Sequence, residues 1–389
     1  MKKIPAVVWL LSFVSLLNDT ASEMLYPVMP IFITQILGAP VFVVGIIEGI
    51  AEGSASLFKT FFGFWSDEIQ RRKPFVIGGY AASAVSKIII ALSYSWPWVL
   101  IGRIVDRMGK GARTGARDAL LLEATDKTDK GFIFGFHRAM DTTGAVIGPT
   151  IALILLFLFH NNIRLILFVA VIPAFLSLVL FIWVKEARKK LQTSKIKLSL
   201  SIKSFPPQLK MLLFGLCVFS LGNSSDSFLI LRAKNLGLSL VLIISAYILY
   251  NICYALSSTP AGAIADKIGT KKVFITGIII FTLVYLGFAL DKSGIFVWPL
   301  FAIYGFYIGL TDGVSKAMVG SLVGEEQAGT AYGVLNTITS LFTLLASVIG
   351  GFLWSLYSPS ATFYFAVICA AISIPIFLLI KPQARAQML

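Results

Sequence analysis

"GFWSDEIQRRK" (residues 63–73) returns as "GAIADKIGTKK" at 262–272, and that return fixes the architecture. Each copy follows an apolar run, sets an aspartate four residues after a glycine and closes on basic residues. On either side, "SLLNDTASE" (15–23) matches "SLGNSSDSF" (220–228), and "KGFIFG" (130–135) matches "AGTAYG" (328–333), in the same order and at similar spacing. The chain therefore repeats one unit. Its longest polar interval, "KEARKKLQTSKIKLSLSIKSFPP" at 185–207, falls between the copies. The expected organisation is a bundle over 1–184, a cytoplasmic linker over 185–207 and a second bundle over 208–389.

Composition places both copies in a membrane. Of 389 residues, 57% are hydrophobic and 13% charged, with a mean hydropathy of +0.86; soluble domains carry about 25% charged residues. Runs such as 164–184 are long enough, at about 1.5 Å per residue, to cross a hydrocarbon core of ~30 Å. Apolar windows between polar punctuation predict spans near 5–36, 40–66, 74–94, 96–123, 131–159, 164–184, 208–232, 239–264, 272–290, 295–322, 327–357 and 360–380. The expected fold class is an all-α polytopic membrane protein: twelve transmembrane helices in two pseudo-symmetric six-helix bundles around a central cavity. Parallel repeats of this kind are a transporter architecture, with the substrate site between the halves.

The net charge of +14 is topological. Nineteen of the 33 Lys and Arg fall on the side of the termini and of the 67–73, 124–130, 185–207 and 265–272 loops. Only Arg164, Arg232, Lys234 and Lys292 fall in loops on the other side. Both termini are therefore expected in the cytoplasm, in a bacterial inner membrane. The basic residues sit in short loops rather than on one solvent-facing domain, so no nucleic-acid partner is expected. The N-terminus has two lysines before an apolar run but no A-x-A site, and Asn18 and Asp19 interrupt the run, so it reads as the first span rather than a signal peptide. Cys217, Cys253 and Cys369 lie far apart without CxxC or metal-type spacing, and no disulfide or cysteine metal site is expected.

On three motifs the chain resembles the major facilitator superfamily. The first is the repeated loop: Gly63, Asp67, Arg71, Arg72 and Lys73, echoed by Gly262, Asp266, Lys271 and Lys272, with Glu68 and Gln70 departing from the usual pattern. The second is Arg103-Ile-Val-Asp106-Arg107-Met-Gly109, similar to the superfamily's R-x-x-Q-G-x-G but with an acid and a base in the middle. The third is the fifth-span motif of proton-driven exporters, matched by Gly135, Gly144, Gly148 and Pro149, with Ala152 and Leu153 replacing its final glycines. The resemblance implies a secondary transporter working by alternating access. It implies no cofactor beyond a proton gradient, a small-molecule substrate, a lipid bilayer and a monomer. It places Asp19, Glu23, Arg103, Arg107 and Asp226 on cavity-lining spans.

Asp67 can accept hydrogen bonds from a facing helix N-terminus and from Arg71 or Arg72, forming a latch that breaks when the cytoplasmic side opens. Arg113, Arg117 and Asp118, near that surface, are expected to join it. The fifth-span glycines permit close helix packing, and Pro149 removes a backbone donor and kinks the helix. They serve either packing alone or the closing of an exchanger gate.

Ionisable residues inside a membrane cost about 3 kcal/mol each and normally face water or one another. The first half holds most of them: Asp19 and Glu23 at i,i+4, then Glu48, Glu52 and Lys59 in one arc, then His137 with Asp141 and Arg138. The second half offers Asp226, Asp312 and Lys316 among amides at Asn223, Asn251 and Asn336. On the fourth span, Arg103, Asp106, Arg107, Lys110, Arg113 and Arg117 share one stripe of about 120°. Such a stripe must face an aqueous path or the acids of spans one, two and five. A carboxylate beside a removable arginine is a proton switch. Asp19 or Glu23 with Arg103 suits that role, Asp106 competes for the arginine, and His137 beside Asp141 is a second titrating group. For Lys59, Lys87 and Glu123, snorkelling or interfacial pairing suffices. Lys110 receives no assignment.

The leading expectation is proton-coupled antiport exporting a small organic solute, with uptake by symport as its variant. No GxxxxGK motif followed by Ser or Thr suggests ATP. Clustered arginines also suit an anion, a phosphate compound or carboxylate. Asn18, Asp19, Glu23 and His137 make a weaker ligand set for a transition metal, and no metal site is expected. A receptor is the non-transport alternative. Without HExxH, GxSxG or a Cys/His pair, no enzyme is expected.

Overall fold

The computed structural model describes residues 4–69, 72–123, 130–181, 183–184, 205–323 and 325–380. Residues 185–204 of the expected linker, Arg71 and the Asp67 side chain lie outside them. The described residues form helices and no strands, as a bilayer requires of a chain that must satisfy its own backbone. In order they are α1 (Ala6–Leu25), α2 (Met29–Ile31), α3 (Val41–Ile69), α4 (Lys73–Ala91), α5 (Trp96–Glu123), α6 (Lys130–Leu158), α7 (Ile163–Val169) and α8 (Val171–Phe181). The second half has α9 (Pro207–Gly222), α10 (Ser227–Asn235), α11 (Leu240–Ile268), α12 (Thr270–Leu290), α13 (Val297–Ser321), α14 (Glu325–Leu356) and α15 (Pro359–Leu379).

Among the described residues, ten spans are long and apolar enough to cross a membrane, counting α7 with α8 and α9 with α10 as one each. The two long helices that fall short are α1 and α5. They are the helices carrying Asn18, Asp19 and Glu23, and the arginine stripe. With them the expected twelve spans are complete.

Three expected spans are broken rather than continuous. The first, expected over 5–36, stops at Leu25. Pro27 and Pro30 offer no N–H, and the chain resumes as α2 and a wider π turn, Phe32–Ile36, closed by the Leu37 N–H on the Phe32 carbonyl. The sixth divides at Ala170 into α7 and α8. The seventh, expected over 208–232, unwinds at 223–226, an Asn-Ser-Ser-Asp run whose side chains compete for backbone partners. There the Ser225 N–H donates to Ser347 Oγ at 3.1 Å, and Ser225 Oγ accepts from the Ser227 N–H.

The chain groups into two compact units, residues 1–195 with 239–248, and residues 196–238 with 249–389. In the first, α1 packs on α6 and α8, α5 on α3 and α4, and α4 on α8. The second repeats the scheme, with α9 on α14 and α15, α13 on α12, and α12 on α15. The first core joins Val8, Leu11 and Val14 to Tyr80, Leu121 and Phe181. The second is aromatic: Phe281 stacks on Tyr285 at 4.0 Å and leans on Phe219 and Tyr307.

Candidate functional site

Close backbone approach seats α5. A Cβ on Gly109 would lie 2.5 Å from the Gly79 carbonyl oxygen of α4, and one on Gly111 would lie 2.6 Å from Phe58 of α3. Only glycine lets α5 settle this deeply between its neighbours. The polar stripe is thereby pressed against them. Arg103 Nη2 donates to Glu48 Oε2 at 2.6 Å, and Arg107 Nη2 to Glu52 Oε1 at 2.7 Å. These are two rungs one turn apart, matching Glu48-x3-Glu52 to Arg103-x3-Arg107, so α3 and α5 run in the same direction. The first rung is buried on both sides; the Glu52 side chain of the second is 41% exposed.

The expected partnership of Arg103 with Asp19, Glu23 or Asp106 is thus replaced by Glu48. Asp106 turns the other way, into α4, where it accepts from Lys87 Nζ at 3.1 Å, Ser83 Oγ at 2.7 Å and Ser86 Oγ at 3.3 Å. Lys87 does not snorkel. It is buried, and also donates to Ser83 Oγ. The 60° that separates Asp106 from Arg103 around the helix is enough to give the two residues different neighbours. Lys87→Met is expected to lower the unfolding temperature by leaving Asp106 buried without its cation. The double variant Lys87→Met with Asp106→Leu should recover most of that loss. Equal melting of wild type and single variant in detergent would reject the pairing as a stabilising one.

On α1, Asp19 and Glu23 are half-buried where α6 comes closest. A Cβ on Gly144 would lie 2.8 Å from the Leu16 carbonyl oxygen and 3.2 Å from Asp19 Cβ; one on Gly148 would lie 2.6 Å from the Thr20 carbonyl oxygen and 2.9 Å from Glu23 Cβ. Gly135 meets nothing within 4 Å. The fifth-span motif, with Pro149 inside α6, therefore sets the spacing of the two acids against α6. Within the first unit, Glu23 accepts from the Tyr247 hydroxyl at 2.9 Å. Asp19 has no hydrogen-bond donor and no cation at ion-pair distance among the described residues.

His137 is buried; Nδ1 lies 3.1 Å from Ser12 Oγ, and Nε2 lies 3.7 Å from Asp141. Arg138 is exposed. Arg113 is not at a surface: it is buried with its guanidinium 5.0 Å from the Tyr80 ring centre. Arg117 bonds Ser15 and Asp118 and lies 3.9 Å from Asp141. Those partners belong to α1, α5 and α6, not to the Gly63–Lys73 loop where the latch was expected. Gly63 lies on α3 and Arg72 immediately precedes α4. In the second unit Gly262 is unobstructed and Asp266 exposed, while Lys271 donates to the carbonyls of Leu378 and Ile380 at the end of α15.

Helix α11 carries an arrangement that the sequence did not disclose. Asp226, at the unwound stretch, accepts from the Tyr304 hydroxyl at 2.6 Å and from Tyr250 at 3.2 Å. Asp312 accepts from Tyr254 at 3.2 Å and from Lys316 at 2.9 Å. Tyr247, Tyr250 and Tyr254 of α11 each donate to a different carboxylate. Their i, i+3, i+7 spacing was the available signal.

A family model for the Major Facilitator Superfamily matches residues 11–247 and again 212–388. An uncharacterized MFS-type transporter of Methanocaldococcus jannaschii is 38% identical over 373 residues, covering 94% of this chain and 92% of that protein. The inner membrane transport protein YajR of Escherichia coli is 26% identical over 388 residues, covering 94% of this chain and 81% of that protein. Among solved structures, a mutant of the nucleoside transporter NupG superposes with a TM-score of 0.83 at 12% identity, over 96% of this chain and 99% of that one, a likeness of fold.

Proposed function

The chain belongs to the major facilitator superfamily and is an integral membrane secondary transporter of a small molecule; from that premise we propose that it is a proton-coupled antiporter exporting a small organic solute. It works as a monomer in the cytoplasmic membrane, with both termini inside. The observation that carries this reading is the state of the α1 acids. The arginines of both rungs have carboxylates of their own, whereas Asp19 has no partner among the described residues. An ionisable group in that position, inside a membrane, is a station for a transported proton. Glu23, one turn on and bonded to Tyr247, is the second.

Three of the four stripe arginines that favour an anionic substrate are engaged by carboxylates, Arg103 with Glu48, Arg107 with Glu52 and Arg117 with Asp118, and the fourth, Arg113, is buried against the Tyr80 ring. A metal substrate has less support, since His137 faces Ser12 and Asp141 rather than Asp19. The export direction rests on Gly144, Gly148 and Pro149, the exporter motif, standing against these same acids.

Proteoliposomes loaded with a pH-sensitive dye test the reading, with small organic solutes supplied one at a time. A transported solute should drive a proton flux in the opposite direction. Asp19→Asn should abolish the dye response while melting like wild type without solute. Wild-type proton movement in both Asp19→Asn and Glu23→Gln would overturn the assignment.

A further inference from the structure

Lys110 is the α5 cation that none of these pairs absorbs. It sits halfway along a 28-residue helix, about 21 Å from either end at 1.5 Å per residue, and it is exposed. An exposed ammonium at mid-depth in a bilayer faces water, not acyl chains. Its ammonium makes no hydrogen bond or ion pair with any described residue. Of the neighbouring cations, Arg107 holds Glu52 and Arg117 holds Asp118 and Ser15, while Arg113 is buried against the Tyr80 ring.

The group nearest to being its complement is Asp19, on α1 of the same unit. Arg117 donates to Ser15 Oγ at 2.7 Å and so sets this face of α5 against α1; Lys110, two turns from Arg117, and Asp19, one turn from Ser15, lie on the two faces so joined, with no ion pair between them. The other acid of α1, Glu23, already holds Tyr247, and Glu52 holds Arg107. A cation and an anion thus lie on adjoining faces of α5 and α1, each without a partner among the described residues. That arrangement is complementary to a solute that brings both charges itself.

We propose that Lys110 and Asp19 form the two ends of a site for a small zwitterion, with Lys110 binding the carboxylate of the solute and Asp19 its ammonium group. Charge-assisted hydrogen bonds form at both ends, each stronger than its neutral counterpart. The proposal rests on the antiport reading and deepens it. The solute's ammonium and the transported proton compete for the same carboxylate, so a proton arriving on Asp19 releases the solute and a departing proton readmits one.

The test is calorimetric titration of the purified full chain with matched probes: phenylalanine, phenethylamine and 3-phenylpropionate, then norvaline, butylamine and valerate. Within a set, the zwitterion should bind at least about tenfold more tightly than either singly charged analogue. Lys110→Gln should lose that preference and favour the amines; Asp19→Asn should lose it and favour the carboxylates. Lys110→Arg should keep it. Unliganded melting temperatures identify any variant that fails to fold, and Lys110→Arg and Asp19→Glu then carry the comparison as conservative replacements. Equal affinity within both sets, binding by neither zwitterion, or a preference unchanged in Lys110→Gln would each overturn the proposal. The dye assay separates the two readings. Zwitterion binding without proton movement removes the coupling and leaves the site, and proton-coupled exchange of a singly charged amine does the reverse.

Discussion

Replacing Glu48 with Ala is expected to destabilise the first unit by about 3–5 kcal/mol, the cost of leaving a buried charge without its partner. Arg103 is 8% exposed and Glu48 2%, and a guanidinium cannot shed its proton to escape the penalty. Against a total stability of about 5–15 kcal/mol, a loss of that size lowers the folded population steeply. Glu52→Ala should cost far less, roughly 1 kcal/mol, because water reaches that side of its rung. The double variant Glu48→Leu with Arg103→Met should regain most of the stability. Unfolding in detergent, followed by tryptophan fluorescence, reads all four proteins. Equal losses at the two rungs would show that burial is not what separates them.

Gly148→Val should be the most damaging change on α6. Its first added atom alone would lie 2.6 Å from the Thr20 carbonyl oxygen, a backbone atom that cannot swing aside. Overpacking at a yielding site costs about 1–3 kcal/mol, and here α1 itself must move, carrying Asp19 and Glu23. Transport should disappear. Gly144→Ala, at 2.8 Å from the Leu16 carbonyl, should be impaired, and Gly135→Ala, with nothing within 4 Å, should match wild type. Transport rates in proteoliposomes rank the three. A gating role for the whole motif, independent of packing, predicts instead that Gly135→Ala is as inactive as the others.

The repeat of "GFWSDEIQRRK" and the apolar windows carried the architecture, because span length and loop charge are written locally along the chain. The stripe on α5 was legible too, since a helical angle needs only residue numbers. The partner of each stripe residue was not. Whether Arg103 meets Asp19 or Glu48 depends on how far α5 settles between α3 and α4, and that depth is set by contacts between Gly109 and Gly79 and between Gly111 and Phe58. The matching spacings Glu48-x3-Glu52 and Arg103-x3-Arg107 become informative only once the two helices are known to lie side by side. The break at 223–226 was signalled by four consecutive polar residues, but a window averaged over the span stays apolar across it. The tyrosines of α11 were hidden differently: in an apolar helix a phenol counts as one more large side chain until its hydroxyl finds an acid.

The two rungs have a mechanical meaning as well as an electrostatic one. A slip of α3 along α5 by a single turn would bring Glu52 to Arg103, set Glu48 beside Val99 and strand Arg107 against Ser56. One salvaged contact would not offset two orphaned charges, so the joint is keyed and admits one register only. The two helices therefore travel as one strut. Bending within the first unit falls to places without such a key, above all the proline-interrupted corner between α1 and α2, where no backbone ladder runs unbroken.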